Sequence, residues 1–450
     1  MSNNIFAGFV ILACLASASG CMLFSHNPEC HEPTQPEAWF PISGSEFVPW
    51  STHIPNGNVE PIGICSRGLA PGGSDLAMLT FDRVARPVVG WVHSDVAVKK
   101  FGGTGWLDLP NVTIADPDGI LVDSQNRVLA YGHSSSQPDT IPENSTIYLK
   151  RFDGASWVGV DGGASGSVMD IANRTAIPNV AINANGDPVV AWTRPVGGDW
   201  AIFALQWDGS QWSELAGSGS GAGISGPTGT RSNPTIATCA DGSLVVAWTQ
   251  IVSQGANSVA CTYLRAYSGG AWIEVGGSAT GNGVSGDCGD GDWSPKVMCG
   301  SDNVPLAASP KGIPGTSAGP VRVRRFNGSG WDQIGGALAK TPTGSAIDVY
   351  TEAVDFALDR DNNPVVTWVA TTGDIYLRRW DGTKWAEVNG SASGGGITNS
   401  DAGSWGPALA ISNEMICVLW AGQDPSFCAN DGCDTDFVPT SRILMRCSHY

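Results

Sequence analysis

The chain alternates short apolar runs with turn residues at a steady interval. Continuous runs such as Asp187-Pro-Val-Val-Ala-Trp192, Ser243-Leu-Val-Val-Ala-Trp248 and Asn363-Pro-Val-Val-Thr-Trp368 have looser copies at Arg86–Trp91, Arg127–Tyr131, Val304–Ser309 and Met415–Trp420. Each is β-branched, bounded by turn residues and too short for a helix, so each reads as a strand buried on both faces. A shorter apolar run stands upstream of each, as in Val180–Ile182, Thr235–Ala237 and Phe356–Leu358, joined through Asn185-Gly186, Asp241-Gly242 or Asp361-Asn362. Gly and Asn accept the positive φ that such turns require. A second hairpin follows, as in Ile375–Trp380, Asp381-Gly382 and a strand opening at Trp385, with equivalent tryptophans at Trp106, Trp157, Trp212, Trp272 and Trp331.

Each unit is therefore four antiparallel strands, and successive hairpin tryptophans stand 51 to 60 residues apart. That interval predicts an all-β, seven-bladed β-propeller of four-stranded antiparallel blades. The seventh unit ends at Tyr450 before a fourth strand, while Trp39-Phe-Pro-Ile-Ser-Gly-Ser45 matches Trp385-Ala-Glu-Val-Asn-Gly-Ser391 in its first residue and its tail. Residues 38 to 43 are expected to supply the missing outer strand, closing the ring; Pro41 lacks an N–H and fits only at an edge.

The repeats fill 37–450 and leave no room for a second core. Residues 1–20 read as a signal peptide, because the apolar stretch Ile5–Ala18 is too short to span a bilayer. It ends in Ala18-Ser-Gly-Cys21, which resembles a bacterial lipobox; the resemblance implies lipidation of Cys21, with 21–36 as a tether, an outer-membrane or surface location, and membrane contact through the lipid alone. Cleavage and release is the alternative. A net charge of −18 without a basic stripe argues against nucleic acid. No interface pattern marks an oligomer, and a monomer is expected. The ten cysteines beyond Cys14 and Cys21 favour disulfides, with Cys417–Cys447 on neighbouring strands and Cys428–Cys433 within one loop expected first.

Strand order assigns the second-to-third loops and the blade-to-blade connections to one face, and these segments look long and irregular, including Arg194–Trp200, Ile251–Ser258, Gly276–Trp293, Asn389–Trp405 and Ala421–Ser441. Binding residues gather on loops held by a rigid scaffold. Trp200, Trp293 and Trp405 are the candidates to stack on a sugar, with plugging between blades as their alternative. Asp287, Asp290 and Asp292, and separately Asp431, Asp434 and Asp436, are the candidates for a structural calcium ion, with a solvated acidic loop as theirs. No other cofactor is indicated.

The hairpins Asp153–Trp157, Asp208–Trp212 and Asp381–Trp385 resemble the Asp-box of sialidases, shortened by one residue and lacking its leading Ser. The whole unit is similar to secreted sialidase-like and Kelch-like propellers. That resemblance implies a fold that hosts lectins, scaffolds and hydrolases alike. The third-strand arginines read as edge protection, and His133 as a surface residue. No catalytic residue is selected. The function expected is non-catalytic recognition of a glycan or an extracellular protein; a sialidase-like hydrolase and a structural envelope protein are the alternatives.

Overall fold

The computed structural model describes residues 40–41, 77–92, 96–102, 105–114, 116–134, 144–162, 165–172, 176–226, 229–254, 257–288, 291–310, 320–336, 349–370, 373–398, 403–412, 415–423 and 441–449. They form seven antiparallel sheets. The last sheet joins β1 (Phe40–Pro41) to the chain's end. Blade 1 holds β2 (Ala77–Phe81), β3 (Pro87–Val92), β4 (Val96–Phe101) and β5 (Trp106–Val112). Blade 2 holds β6 (Asp116–Val122), β7 (Val128–His133), β8 (Asn144–Phe152), β9 (Trp157–Gly159) and β10 (Ser167–Ala172). Blades 3 and 4 comprise β11 (Ala176–Ile182), β12 (Pro188–Val196), β13 (Asp199–Trp207) and β14 (Trp212–Glu214), then β15 (Arg231–Thr238), β16 (Leu244–Gln254), β17 (Asn257–Ser268) and β18 (Ala271–Ile273). Blades 5 and 6 comprise β19 (Lys296–Cys299), β20 (Pro305–Pro310), β21 (Val321–Phe326) and β22 (Trp331–Gln333), then β23 (Val349–Leu358), β24 (Pro364–Ala370), β25 (Ile375–Trp380) and β26 (Trp385–Ala386). Blade 7 holds β27 (Ser404–Ile411), β28 (Met415–Gln423) and β29 (Ser441–His449), with β1 as its outer strand.

Phe40 pairs with Cys447 and Pro41 with Arg446, so the ring closes with chain from both ends. Each first strand packs on the first strand of the next blade, and β27 returns to β2, so these seven strands wall a central channel. Blade 2 departs from the four-strand pattern, because β9 and β10 both pair with β8 and divide its outer edge.

The turns between first and second strands share one geometry in blades 1 to 6. Asp359 N donates to Asn363 O and Asn362 N to Asp359 O, and the same pair of bonds recurs at Asp82–Arg86, Asp123–Arg127, Asn183–Asp187, Cys239–Ser243 and Gly300–Val304. The fourth residue is left-handed each time, as at Asn362 (φ 62°) and Gly186 (φ 91°), and this explains the recurring Asn and Gly. In blade 6, Asp359 Oδ1 accepts the N–H of Asp361 and Asn363 at 2.9 and 2.8 Å, while Oδ2 accepts Arg379 Nε at 2.6 Å. Lys100 reaches Asp82 in the same way at 3.2 Å, and Arg325 reaches Asp302. In blades 1, 5 and 6 a third-strand cation therefore neutralises a turn carboxylate, a role beyond the edge protection expected of these residues. The turns also join neighbours: Asn126, Asn303 and Asn362 each accept a backbone N–H of the preceding blade, from Arg83, Asp241 and Ser301, at 2.8 Å.

Packing between blades explains the tryptophans. Trp192, Trp248, Trp368 and Trp420 on second strands are at most 1% exposed. The indole N–H of Trp157, Trp272, Trp331 and Trp385 donates to a carbonyl of the preceding blade, namely Pro110, Leu215, Val275 and Ile334, at 2.5 to 3.1 Å. In blades 2, 4, 5 and 6 the hairpin Trp thus buries apolar area and satisfies its indole N–H by clasping its neighbour. Cys239–Cys299 links the turn region of blade 4 to blade 5, and Cys417–Cys447 joins paired positions on β28 and β29.

Candidate functional site

The face bearing the second-to-third loops is more regular than its sequence suggests. Arg194–Trp200 is a strand continuation, with Pro195 opposite Trp200 and Val196 opposite Asp199 around Gly197-Gly198. Ile251–Ser258 likewise extends the β16–β17 ladder as far as Gln254 opposite Asn257. Strand pairing beats loop here because each reversal needs only two residues. Connections leaving blades 3, 4 and 6 run back along their own third strands. Buried Ser218, Ser278 and Ser391 donate to the carbonyls of Ala204, Leu264 and Leu377 at 2.7 to 2.8 Å. Gly223, Gly283 and Gly396, at φ 58°, 60° and 64°, approach the carbonyls of Ile202, Thr262 and Ile375 so closely that a Cβ would collide. The recurring Gly-Ser-x-x-Gly-x-Gly stretch carried this signal, which pattern reading by hydrophobic alternation missed.

On this face the three candidate tryptophans occupy alternate blades. Trp200 is half-buried on β13, where Arg231 Nη1 holds its carbonyl at 3.2 Å together with those of Gly226 and Gly229. Trp405 is half-buried on β27 against the core shared by blades 7 and 1. Trp293 stands apart, with 39% of its surface exposed; it is the only aromatic among the exposed large apolar side chains of the described residues.

The backbone around Trp293 is fixed on every side. Cys261–Cys288 ties the connection to β17, and Asp292 N donates to Ala260 O at 2.7 Å. Trp293 N donates to Pro310 O at 3.2 Å, and Ser294 N to Thr249 Oγ1 at 3.0 Å. The Asp292 side chain is fully buried and meets Arg324 Nη1 at 3.2 Å. Burial holds the Arg324 guanidinium below its usual pKa, opposed by the Asp292 charge. Asp287 is exposed, and Asp292 already faces a cation; among the described residues no three His, Cys, Asp or Glu side chains gather to hold a metal. Cys21, Asp290, Cys428, Asp431, Cys433, Asp434 and Asp436 lie outside the described residues, as do the signal and tether segments.

A second polar constellation stands where β6 begins and β7 ends. Register in β6 shifts between Pro117 and Gly119, so Asp118 is an extra residue in the ladder. The bulge turns Asp118 toward His133, the last residue of β7, with Oδ2 at 2.8 Å from Nδ1. Their side chains are only 6% and 13% exposed, so His133 is not the surface residue its isolated position in sequence suggested. A Cβ at Gly119 would strike Tyr131, whose hydroxyl contacts Asn179 Nδ2 at 3.4 Å. Asp355 of blade 6 accepts the N–H of Leu409 at 2.7 Å and that of Phe356 at 3.0 Å.

Burial dominates the titration of these groups. It raises the Asp118 carboxyl, against the opposing hydrogen bond from His133. On His133 burial acts downward, but the hydrogen bond and charge of Asp118, with the charge of Asp116, outweigh it and leave the imidazole above its ordinary value. Burial also raises Asp355, opposed by the charge of Lys296 and the two backbone N–H groups. Tyr131 is pushed up by burial first, then by the charges of Asp118 and Asp355.

No protein-family model matches the chain, and no curated protein does. Solved structures do match. A protein of unknown function from Dyadobacter fermentans has TM-score 0.42 at 10% identity, over 83% of this chain and 94% of that one. A PL25 ulvan lyase has TM-score 0.47 at 12% identity, over 83% and 92%. The sialidase of Trypanosoma rangeli has TM-score 0.43 at 11% identity, over 77% and 56%. No residue role passes to this chain from them.

Proposed function

We propose that the propeller is a binding protein that recognises a glycan through the face carrying Trp293, displayed at a bacterial envelope by a lipid on Cys21. The observation that supports this reading is a Trp ring 39% exposed on a backbone fixed by a disulfide, a buried ion pair and two backbone hydrogen bonds. An indole held in place before binding loses little conformational freedom on binding, and its flat apolar surface suits the C–H face of a pyranose. The connections leaving blades 3 and 4 are bonded to their own third strands through Ser218 and Ser278.

A glycan-array screen of the mature chain tests the reading. Retention of one glycan class by the wild type, lost in Trp293→Ala at unchanged Tm, supports it. Absence of glycan binding, with capture of a protein partner or of nothing, refutes it in favour of a protein-recognition or structural role. Radiolabelled palmitate incorporation that disappears in Cys21→Ala tests the anchor separately.

A further inference from the structure

Blade 5 departs from the rest of the ring at one cross-strand pair. The position that Trp192 holds on its second strand recurs in every blade, opposite a residue of the third strand. In blades 3, 4 and 6 the pair is aromatic: Trp192 with Phe203, Trp248 with Tyr263 and Trp368 with Tyr376, ring centroids 5.8 to 6.2 Å apart. The third-strand partners in blades 1, 2 and 7 are Ala97, Tyr148 and Leu444. Blade 5 instead sets Ser309 opposite Arg322, the one charge among these seven third-strand positions. Ser309 is buried, with Oγ 3.1 Å from Thr262 Oγ1 of blade 4, so this side of the pair faces the seam between blades 4 and 5. Cross-strand partners share a side, which turns Arg322 toward the same seam. Arg324, two residues on, is neutralised there by Asp292 at 3.2 Å. Arg322 is not: its side chain forms no ion pair or hydrogen bond with any described residue. Its Nε is buried without an acceptor while the residue stays only half-buried, so the terminal nitrogens are the part that reaches solvent.

An unpaired guanidinium at a site where six blades place an uncharged side chain costs desolvation and returns nothing to the fold. Breaks of this kind in an otherwise consistent repeat mark functional positions. The exposed ring of Trp293 stands at the same end of blade 5: its N–H is bonded to the carbonyl of Pro310, which follows Ser309 and pairs with Val321 beside Arg322. The other charges acting on Arg324 in this seam are Asp292, which it neutralises, and the exposed Asp287. We infer that Arg322 is a ligand-binding residue and that the ligand stacked on Trp293 is an acidic glycan, whose carboxylate or sulfate oxygens accept from the terminal N–H groups of Arg322. The sugar in this inference rests on the binding reading of Trp293; the negative charge is argued from Arg322 alone. A guanidinium offers two parallel N–H groups to either oxyanion. The net charge of −18 repels polyanions in general, so an acidic ligand is retained only where a cation is left unpaired to receive it.

The test is an array on which each acidic glycan stands beside its neutral counterpart, carboxyl-reduced or desulfated, probed with the full mature chain and its variants. The wild type should retain an acidic structure and lose it on neutralisation, and the counterpart that fails tells carboxylate from sulfate. Arg322→Met keeps the apolar stem and removes the guanidinium; it should weaken that binding roughly 10- to 100-fold. Its Tm should equal or exceed that of the wild type, because a buried nitrogen without an acceptor has been removed. Arg322→Lys keeps the charge without the fork and should bind between the two. Equal retention of acidic and neutral forms, or equal binding by wild type and Arg322→Met, overturns the inference and leaves the binding reading standing. A marked fall in Tm of Arg322→Met with wild-type affinity in Arg322→Lys makes the guanidinium structural and overturns it as well. Acidic binding lost in Arg322→Met but kept in Trp293→Ala supports Arg322 and refutes the Trp293 platform. Retention of no structure by the wild type overturns both.

Discussion

Blade 6 and blade 3 solve the same turn with opposite electrostatics, and exchanging one solution for the other gives a quantitative prediction. In blade 6 the carboxylate of Asp359, 0% exposed, accepts two backbone N–H groups and Arg379 Nε, whose side chain is 23% exposed. Blade 3 has Asn183 at the turn, accepting the N–H of Asn185 and Asp187 at 2.9 Å, and Gln206 on the third strand opposite Val189, the position that Arg379 holds opposite Val365. Breaking a fully buried pair costs roughly 3–5 kcal/mol. The partial exposure of Arg379 reduces this to roughly 2–3 kcal/mol for Asp359→Asn or Arg379→Gln alone. With about 2.1 cal/mol/K of unfolding entropy per residue over the ring, each single variant should lower Tm by roughly 2–3.5 °C. The double variant has the neutral pair of blade 3, keeps both turn hydrogen bonds, and should lie within about 1 kcal/mol of wild type, a coupling of at least about 3 kcal/mol. Calorimetric melting of the four proteins reads this directly. A double variant whose loss equals the sum of the two singles would refute the pairing and the equivalence of the two blades.

Three further outcomes are expected. Replacing Cys239 and Cys299 by Ala opens a 60-residue separation between adjacent blades and should cost about 4 kcal/mol on the chain-entropy account, with the wild type in reductant approaching the variant in denaturant melts. Asp118 raises the folded pKa of His133 against its burial, so this contribution is full below the unfolded His value of about 6.5 and fades as pH rises through the raised folded value; the Tm gap between wild type and His133→Gln should therefore shrink as pH rises above about 6.5, and a gap that widens would contradict the assignment. Deleting the chain through Pro41 removes the partners of Cys447 and Arg446, so amide exchange along β29 should accelerate while β24 stays protected.

How much was visible in the sequence depends on the range over which each signal acts. The second strands were legible because Val189–Trp192 or Val365–Trp368 carry their own apolar run, and the ring closure because Trp39 and its tail repeat those of Trp385. The arginine locks were half legible: Arg379 recurs in place, but its target, Asp359, lies twenty residues earlier and its burial becomes apparent only once β24 and β25 pair. The extended hairpins were misread as loops since Pro195 and Gly197-Gly198 look irregular, although two glycines suffice for the reversal. His133 and Asp118 were invisible as a pair. They are separated by 15 residues, and only a bulge, whose presence no alternation announces, turns one toward the other. The exposure of Trp293 and the half-burial of Trp405 against the core shared by blades 7 and 1 are likewise not distinguished by spacing alone.

The most direct measurement of the binding account is a calorimetric titration of the glycan selected on the array into wild type, Trp293→Phe and Trp293→Ala. A stacking platform predicts that Ala weakens Kd by roughly 30-fold, about 2 kcal/mol, with Phe in between and all three melting together. Identical affinities for the three proteins would contradict it.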